Sequence, residues 1–422
     1  MSDVKEIKSY APRTNGGKYI VGGVELDRPF KVRRLGHFGF NLINYPEAVR
    51  FYTDLLGFDI ADMRNYAERL KPSQAAELKK RGGEPLGCFA RYGSDHHAMV
   101  LFNRHYREVA DPPGRWQPGV TVNQITWQVG SLGEVGDAIK YFHKQNVPLL
   151  RSGRDMPGSN WHTYLHDPDG NTNELYWGIE QIGWDGYSKP KSMYSRAFHE
   201  APELPQISEF QEIQDALANG MSVTDGYRYT TKPPAKYDVQ GILLPRPFKI
   251  VRMSPLRLFA NDLEASLDFY THHMGFVPTE EVTYNGHRCI FLRCGTEHTA
   301  VALYPLALRA ELKLSEHTNC LSIGMQVANY QQLRDARAFL KEQGVTIKEL
   351  PPELSPGIDY SFLAIDPDGH AVQFYYAMEQ IGWDGKPRPA GKRRKVVPGE
   401  WPDALEPMSD TYMGEPFLGP WG

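Results

Sequence analysis

Cysteine is scarce in this chain: Cys88, Cys289, Cys294 and Cys320 are the four among 422 residues, and none forms a CxxC pair. A disulfide scaffold is thereby excluded, and a reducing, cytoplasmic setting is expected. No apolar run reads as a membrane span, and the opening stretch MSDVKEIKSYAPRTNGGK has no apolar core of the kind that directs export. A basic excess is also missing. Lys and Arg number 47 against 51 Asp and Glu, a formal net charge of -4. Nucleic acid is therefore not an expected partner, and the one basic run, Lys392 to Lys395, reads as a solvated tail. What is present is 41% apolar and 12% aromatic residues, enough for a globular protein of two or three domains.

The chain repeats itself. RPFKVRRLGHFGFNLINYPEAVRFYTDLLGF from Arg28 is answered by RPFKIVRMSPLRLFANDLEASLDFYTHHMGF from Arg246. Downstream, HDPDGNTNELYWGIEQIGWDG from His166 is answered by IDPDGHAVQFYYAMEQIGWDG from Ile365. Two homologous domains in tandem are expected, over 28–188 and 246–385, with an N-terminal arm over 1–27, a linker over 189–245 and a C-terminal tail over 386–422.

Each half divides again. In the first, LGHFGFNL alternates as a strand, AVRFYTDLLGF has helical spacing ending at Gly57, and GCFARY and HAMVLF read as further strands. VNQITWQV, LGEVGDAIKYFHKQN and strands near Leu149, Thr163–Leu165 and Glu174–Trp177 repeat the pattern. The fold class is α+β, with four βαβββ units in series building curved mixed sheets. DPDG marks a hairpin turn in both halves, and QIGWDG reads as packing and turn. Within the linker, SEFQEIQDALANG is a helix with Ser208 as N-cap, Glu212 near the capping-box position and Gly220 as terminator, and the segment is expected to pack on the domains. Trp401, Phe417 and Trp421 are expected to anchor the tail.

Polar residues that break the apolar pattern in one copy and are lost from the other are the candidates for chemistry. His37 lies fifteen residues before Tyr52, and Pro255 lies fifteen before Tyr270. Glu174 is matched by Gln373, and Gln124 by Ser322. Imidazole and carboxylate suit a divalent transition metal, and an amide oxygen completes such a set, whereas Pro, Ser and Gln do not. His162, Tyr164 and His166 alternate along one strand and so share a face, offering an acid or base near neutrality and a phenolic donor. Trp127 and Trp177 read as core.

The strand His followed by FYTDLLGF, the repeated units and DPDGNTNELYWG resemble the vicinal-oxygen-chelate superfamily of glyoxalase I, methylmalonyl-CoA epimerase and the extradiol dioxygenases. Four units in one chain and DPDGNTNE are most similar to the type I extradiol ring-cleaving enzymes. The resemblance covers 28–186 and 246–385. It implies His37 and Glu174 as metal ligands, and places Gln124 where the family's second His stands. It also implies Tyr164 as a substrate contact. An active-site His has no clean counterpart, His105 and His97 being the nearby candidates, and the ligands fall in the first half where the family uses the second.

The expected function is a cytoplasmic, homo-oligomeric extradiol-type dioxygenase. It would hold Fe(II), or else Mn(II), through His37, Gln124 and Glu174, and cleave a catechol-like aromatic with O2. Tyr164 would hydrogen-bond the developing charge and His162 or His105 would move protons. A non-oxidative isomerase, epimerase or lyase on the same metal, and a metal-free ligand-binding protein, are the alternatives.

Overall fold

The structure, a computed structural model, describes residues 17–405 apart from 113, 114 and 118. The expected anchors Phe417 and Trp421, and most of the N-terminal arm, lie outside the described residues. The first half contributes β1 (Tyr19–Val21), β2 (Val24–Leu26), β3 (Arg34–Leu42), β4 (Asp59–Asn65), β5 (Leu86–Arg91) and β6 (Met99–Asn103). It continues with β7 (Val122–Gln128), β8 (Leu149–Arg154), β9 (Trp161–His166) and β10 (Thr172–Trp177). The second half repeats this with β11 (Tyr237–Val239), β12 (Ile242–Leu244), β13 (Ile250–Ala260), β14 (Val277–Tyr284) and β15 (His287–Arg293). Its remaining strands are β16 (Val301–Pro305), β17 (Cys320–Val327), β18 (Ile347–Lys348), β19 (Ser361–Ile365) and β20 (Ala371–Tyr375).

Two eight-stranded sheets result, ordered β4-β5-β6-β3-β7-β10-β9-β8 and β14-β15-β16-β13-β17-β20-β19-β18. The α+β class and the duplicated βαβββ plan are those the sequence implies. β3 runs parallel to β6 and β7 parallel to β10, and the two units meet along the antiparallel β3–β7 seam. Each parallel pair needs a crossover, supplied by Tyr45–Arg50 with its π-helical continuation Phe51–Leu55 and by Leu132–Lys144. The latter buries Leu132, Val135, Ala138, Ile139 and Phe142, a stripe at helical spacing, and Ser131 caps its start by accepting from Glu134 N. β3 is buried along nearly its whole length because Phe38 and Phe40 face the helices while His37, Gly39 and Asn41 face the hollow of the sheet.

The halves interlock through the repeated motifs. DPDG does turn the chain between β9 and β10 and between β19 and β20, and its acids also reach across to the other copy. Tyr270 donates to Asp167 Oδ2 at 3.0 Å, and Tyr52 donates to Asp366 Oδ2 at 3.1 Å. Ser266 and Asn261 donate to Asp169, while the Ile43 and Asn44 amides donate to Asp368. Arg246 bonds the Asp54 carbonyl at 2.9 Å over Gly57, whose φ of +96° ends the first-half helix; a Cβ there would lie 2.7 Å from Arg246 Nε. Arg28 does the same over Gly275, bonding the Thr271 carbonyl. Trp127, expected in the core, is fully buried against Phe276 of the other half with ring centroids 4.8 Å apart.

The linker helix forms over Glu209–Ala218, with Ser208 accepting from Gln211 N as its cap. Glu212 closes no capping box. It is buried and takes two hydrogen bonds of 2.9 Å from Arg154 of β8. The basic run departs from the solvated tail expected of it: Arg393 pairs with Glu280 at 2.6 Å and Glu379 at 3.0 Å, and Arg394 pairs with Asp359 at 3.1 Å. Carboxylates on the second half supply the attraction that composition alone does not reveal. QIGWDG packs through Gln181 on Asp95 and Gln380 on Thr296, but its tryptophans, Trp184 and Trp383, are fully exposed.

Candidate functional site

The register of three adjacent strands builds the site. His37 on β3 stands opposite Thr126 on β7, and Thr126 stands beside Glu174 on β10. On the far side, β9 places Tyr164 opposite Glu174 and His162 opposite Tyr176, so His162 and Tyr164 share the hollow face as strand alternation requires. His37 Nε2 lies 3.2 Å from Glu174 Oε2, joining residues 137 positions apart. Thr126 donates to the same oxygen at 2.8 Å, and Asn160 Nδ2 donates to Oε1 at 2.6 Å. Tyr164 stands opposite Glu174 on the same face, and His162 Nδ1 approaches Oε1 to 4.0 Å. His37, His162 and Glu174 have no exposure to solvent.

Burial sets the protonation of the cluster. It pushes the Glu174 carboxyl up, against the charge of His162 and the hydrogen bond from Thr126. It pushes His37 down to about 3, the opposing pull of Asp95 being partly cancelled by Arg34. His162 is lowered by burial too, although Asp155 and Glu174 work the other way. Burial also drives the Tyr164 phenol well above its ordinary range, reinforced by the Glu174 charge. At neutral pH the site therefore presents neutral imidazoles and an intact phenol around one carboxyl.

A further layer orients these groups. Arg151 holds Asp155 with two hydrogen bonds of 3.0 and 2.5 Å and lies 4.6 Å over the Tyr164 ring. Asp155 Oδ2 lies 3.9 Å from His162 Nε2, which has no hydrogen-bond partner among the described residues. Burial alone would raise the Asp155 carboxyl, but the charges of His162 and Arg151 outweigh it and hold it low. His97 packs on His37 with ring centroids 4.3 Å apart, and His96 Nδ1 meets His97 Nδ1 at 3.0 Å.

Two expected members stand elsewhere. Gln124 pairs with Gly39 and is only half-buried, two residues along β7 from the slot between His37 and Glu174; Thr126 fills that slot. The register of β3 shifts between Leu35 and His37 and again between Gly39 and Phe40, and that irregularity is what aligns His37 with Thr126. His105 lies on the helix Arg104–Ala110 with Nδ1 3.7 Å from Glu108, away from the cluster, because the chain turns into a helix directly after β6. Thr126, Asn160, Arg151 and Asp155 escaped the sequence reading. Alternation along β7 was the one available signal for Thr126, since it shares a strand face with Gln124.

The equivalent positions of the second half differ at every point. Pro255, Gly324 and Gln373 replace His37, Thr126 and Glu174, and Arg257 and Ser322 replace Gly39 and Gln124. Among the described residues no three His, Cys, Asp or Glu side chains converge tightly enough to hold an ion by themselves. His37 and Glu174 do fit as a pair: neighbouring donors each ~2.1 Å from an ion stand ~3 Å apart, and theirs are 3.2 Å apart. A cavity of about 650 Å³ lies between the halves, lined by the ion pairs Arg34–Asp95 and Arg252–Glu297, and none of the cluster residues around Glu174 lines it.

Paired βαβββ units enclosing buried polar groups at the seam of one sheet define a glyoxalase-type fold. The family model of the glyoxalase/bleomycin resistance protein/dioxygenase superfamily matches residues 34–175 and 252–374, and the chain belongs to that superfamily. Among solved structures, the 2,3-dioxygenase LapB from Pseudomonas sp. KL28 is similar with a TM-score of 0.52 and 12% identity, over 85% of this chain and 96% of that one. A Mn(II)-bound glyoxalase from Novosphingobium aromaticivorans gives 0.51 and 13%, over 84% and 85%. A catechol 2,3-dioxygenase gives 0.50 and 14%, over 89% and 97%. At these identities the likeness is one of fold. No curated protein sequence matches significantly. Among the described residues no helix is long and apolar enough to cross a membrane.

Proposed function

We propose that the first half is the catalytic centre of an extradiol-type dioxygenase acting on a catechol-like substrate with O2. The observation that carries the reading is the 3.2 Å approach of His37 Nε2 to Glu174 Oε2, made in one half and impossible in the other, where Pro255 and Gln373 stand. His37 and Glu174 are the residues that would hold Fe(II) or Mn(II), with the Thr126 hydroxyl alongside in place of a second imidazole. A divalent ion there supplies Lewis-acid charge that favours ionised neighbouring hydroxyls on a substrate.

The chain's own groups account for the rest. Neutral His162 accepts a proton at Nε2, and Asp155, fixed by Arg151, stabilises the imidazolium that forms. Tyr164, intact as a phenol, donates to a substrate oxygen on which charge develops. Because the cluster is buried, bulk water is kept away from these groups.

The test supplies Fe(II) anaerobically, adds a panel of catechols and admits oxygen, following both O2 consumption and the yellow ring-opened product. Both are expected. Turnover without O2 consumption transfers the centre to a non-oxidative isomerase, epimerase or lyase.

One observation favours a second reading, a metal-free ligand cradle. Both Glu174 oxygens already accept protein hydrogen bonds, from Thr126 and Asn160. Elemental analysis of protein purified without chelators separates the two, since about one metal per chain supports the enzyme and none supports the cradle.

A further inference from the structure

The second half keeps a buried cation where the first half has none. Arg257 on β13 occupies the position of Gly39 and turns its guanidinium into the hollow of the second sheet, where it is 1% exposed. Its Nη2 donates to Ser355 Oγ and to the Leu354 carbonyl, while Nε and Nη1 have no hydrogen-bond partner among the described residues. No carboxylate among the described residues pairs with it. Arg154 makes the contrast plain, being buried to a similar degree but held by both oxygens of Glu212. A guanidinium stays protonated when buried, and a buried charge calls for a counter-charge.

The neighbours of Arg257 are hydroxyls and an amide. Ser322 stands directly opposite it in the β13–β17 register, and its hydroxyl is buried with no hydrogen-bond partner among the described residues. Tyr375 is fully buried with its hydroxyl equally unpartnered. Gln373 shares Ser355 with Arg257 and donates to Ser361 at 3.1 Å.

We propose that the second half holds a buried site for a small monovalent anion, halide- or formate-sized, centred on the Nε and Nη1 groups of Arg257 and completed by the Ser322 and Tyr375 hydroxyls. The donors are neutral apart from one cation, which suits a single negative charge. The site is independent of the chemistry assigned to the first half.

Full-length protein is dialysed into chloride-free gluconate buffer and titrated with sodium bromide at constant ionic strength, with Tm as the readout. A saturable rise is expected for the wild type and its loss in Arg257→Met. Ser322→Ala, which leaves the Nη2 contacts intact, is expected to bind bromide about five- to tenfold more weakly. Bromide-soaked crystals should show an anomalous peak within hydrogen-bond distance of Arg257 Nε or Nη1. A halide held so tightly that it survives dialysis is the one case in which added bromide leaves Tm unchanged, and it should then appear at about one per chain by ion chromatography of the denatured wild type. Identical Tm values in bromide and gluconate, with bromide found only on surface side chains and no retained halide, would overturn the proposal.

Discussion

Glu212→Ala should cost about 3–5 kcal/mol, the range for removing one partner of a buried ion pair. Arg154 is 5% and Glu212 2% exposed, and each Glu212 oxygen takes a 2.9 Å hydrogen bond from the guanidinium. Losing the carboxylate strands Arg154 between the Ser159 carbonyl and the Trp161 ring, which lies 4.4 Å away. Lys189, the third partner at 3.1 Å, keeps Glu209 at 3.2 Å and so is not stranded with it. Replacing both partners by apolar residues, Arg154→Met with Glu212→Leu, should recover most of the loss, leaving a coupling of about 2–3 kcal/mol. Urea unfolding of the wild type, Arg154→Met, Glu212→Leu and the double variant gives the cycle, and hydrogen exchange over Glu209–Ala218 reports whether the linker helix opens alone. Burial by itself would raise the Glu212 carboxyl, yet the hydrogen bond from Arg154 and the charges of Lys189 and Arg154 hold it below its ordinary range. The stabilisation is therefore complete at neutral pH and lost as pH falls through that depressed value. A cost for Glu212→Ala under about 1 kcal/mol, or a coupling near zero, refutes the idea that this pair fastens the linker to the first sheet.

Three other outcomes follow from the geometry. Tyr270→Phe and Tyr52→Phe should each lose about 1.5–3 kcal/mol in urea unfolding, because each leaves a DPDG carboxylate short of a donor across the two halves. Burial raises the Glu180 carboxyl to about 7, against the charge and amide of Lys189, so the folded form holds that proton more tightly than the unfolded chain. Its burial thus costs stability progressively from the ordinary carboxylate range up to about pH 7, and Glu180→Gln should gain on the wild type by roughly 2–3 kcal/mol between pH 4 and pH 8 in denaturant titrations. Gly36→Ala should cost about 1–3 kcal/mol in calorimetry, since its Cβ would lie 2.2 Å from the Tyr176 hydroxyl beside His37.

Much of this architecture was legible because the chain states its plan twice. The contrast between copies singled out His37 and Glu174, and period-two alternation put His162 and Tyr164 on one face. Gln124 was named and Thr126 went unread, because two register shifts in β3, which no local pattern announces, decide which β7 residue faces His37. A strand threonine also reads as an ordinary β-former. His105 was close in sequence to the ligand-bearing segments, but a helix carries it outward to Glu108. The DPDG acids were read as turn formers, and their bonds to Tyr270 and Tyr52 join residues more than a hundred positions apart, which turn propensity does not encode. Arg257 passed as one more basic residue because burial, unlike charge, is not written in composition.

Manganese binding, followed by electron paramagnetic resonance on the wild type, His37→Ala, Glu174→Gln and Gln373→Glu, tests the assignment of chemistry to the first half most directly. One Mn(II) site per chain is predicted for the wild type and for Gln373→Glu, and its loss in each of the other two. Equal binding by all four proteins, or none by the wild type, would contradict the account.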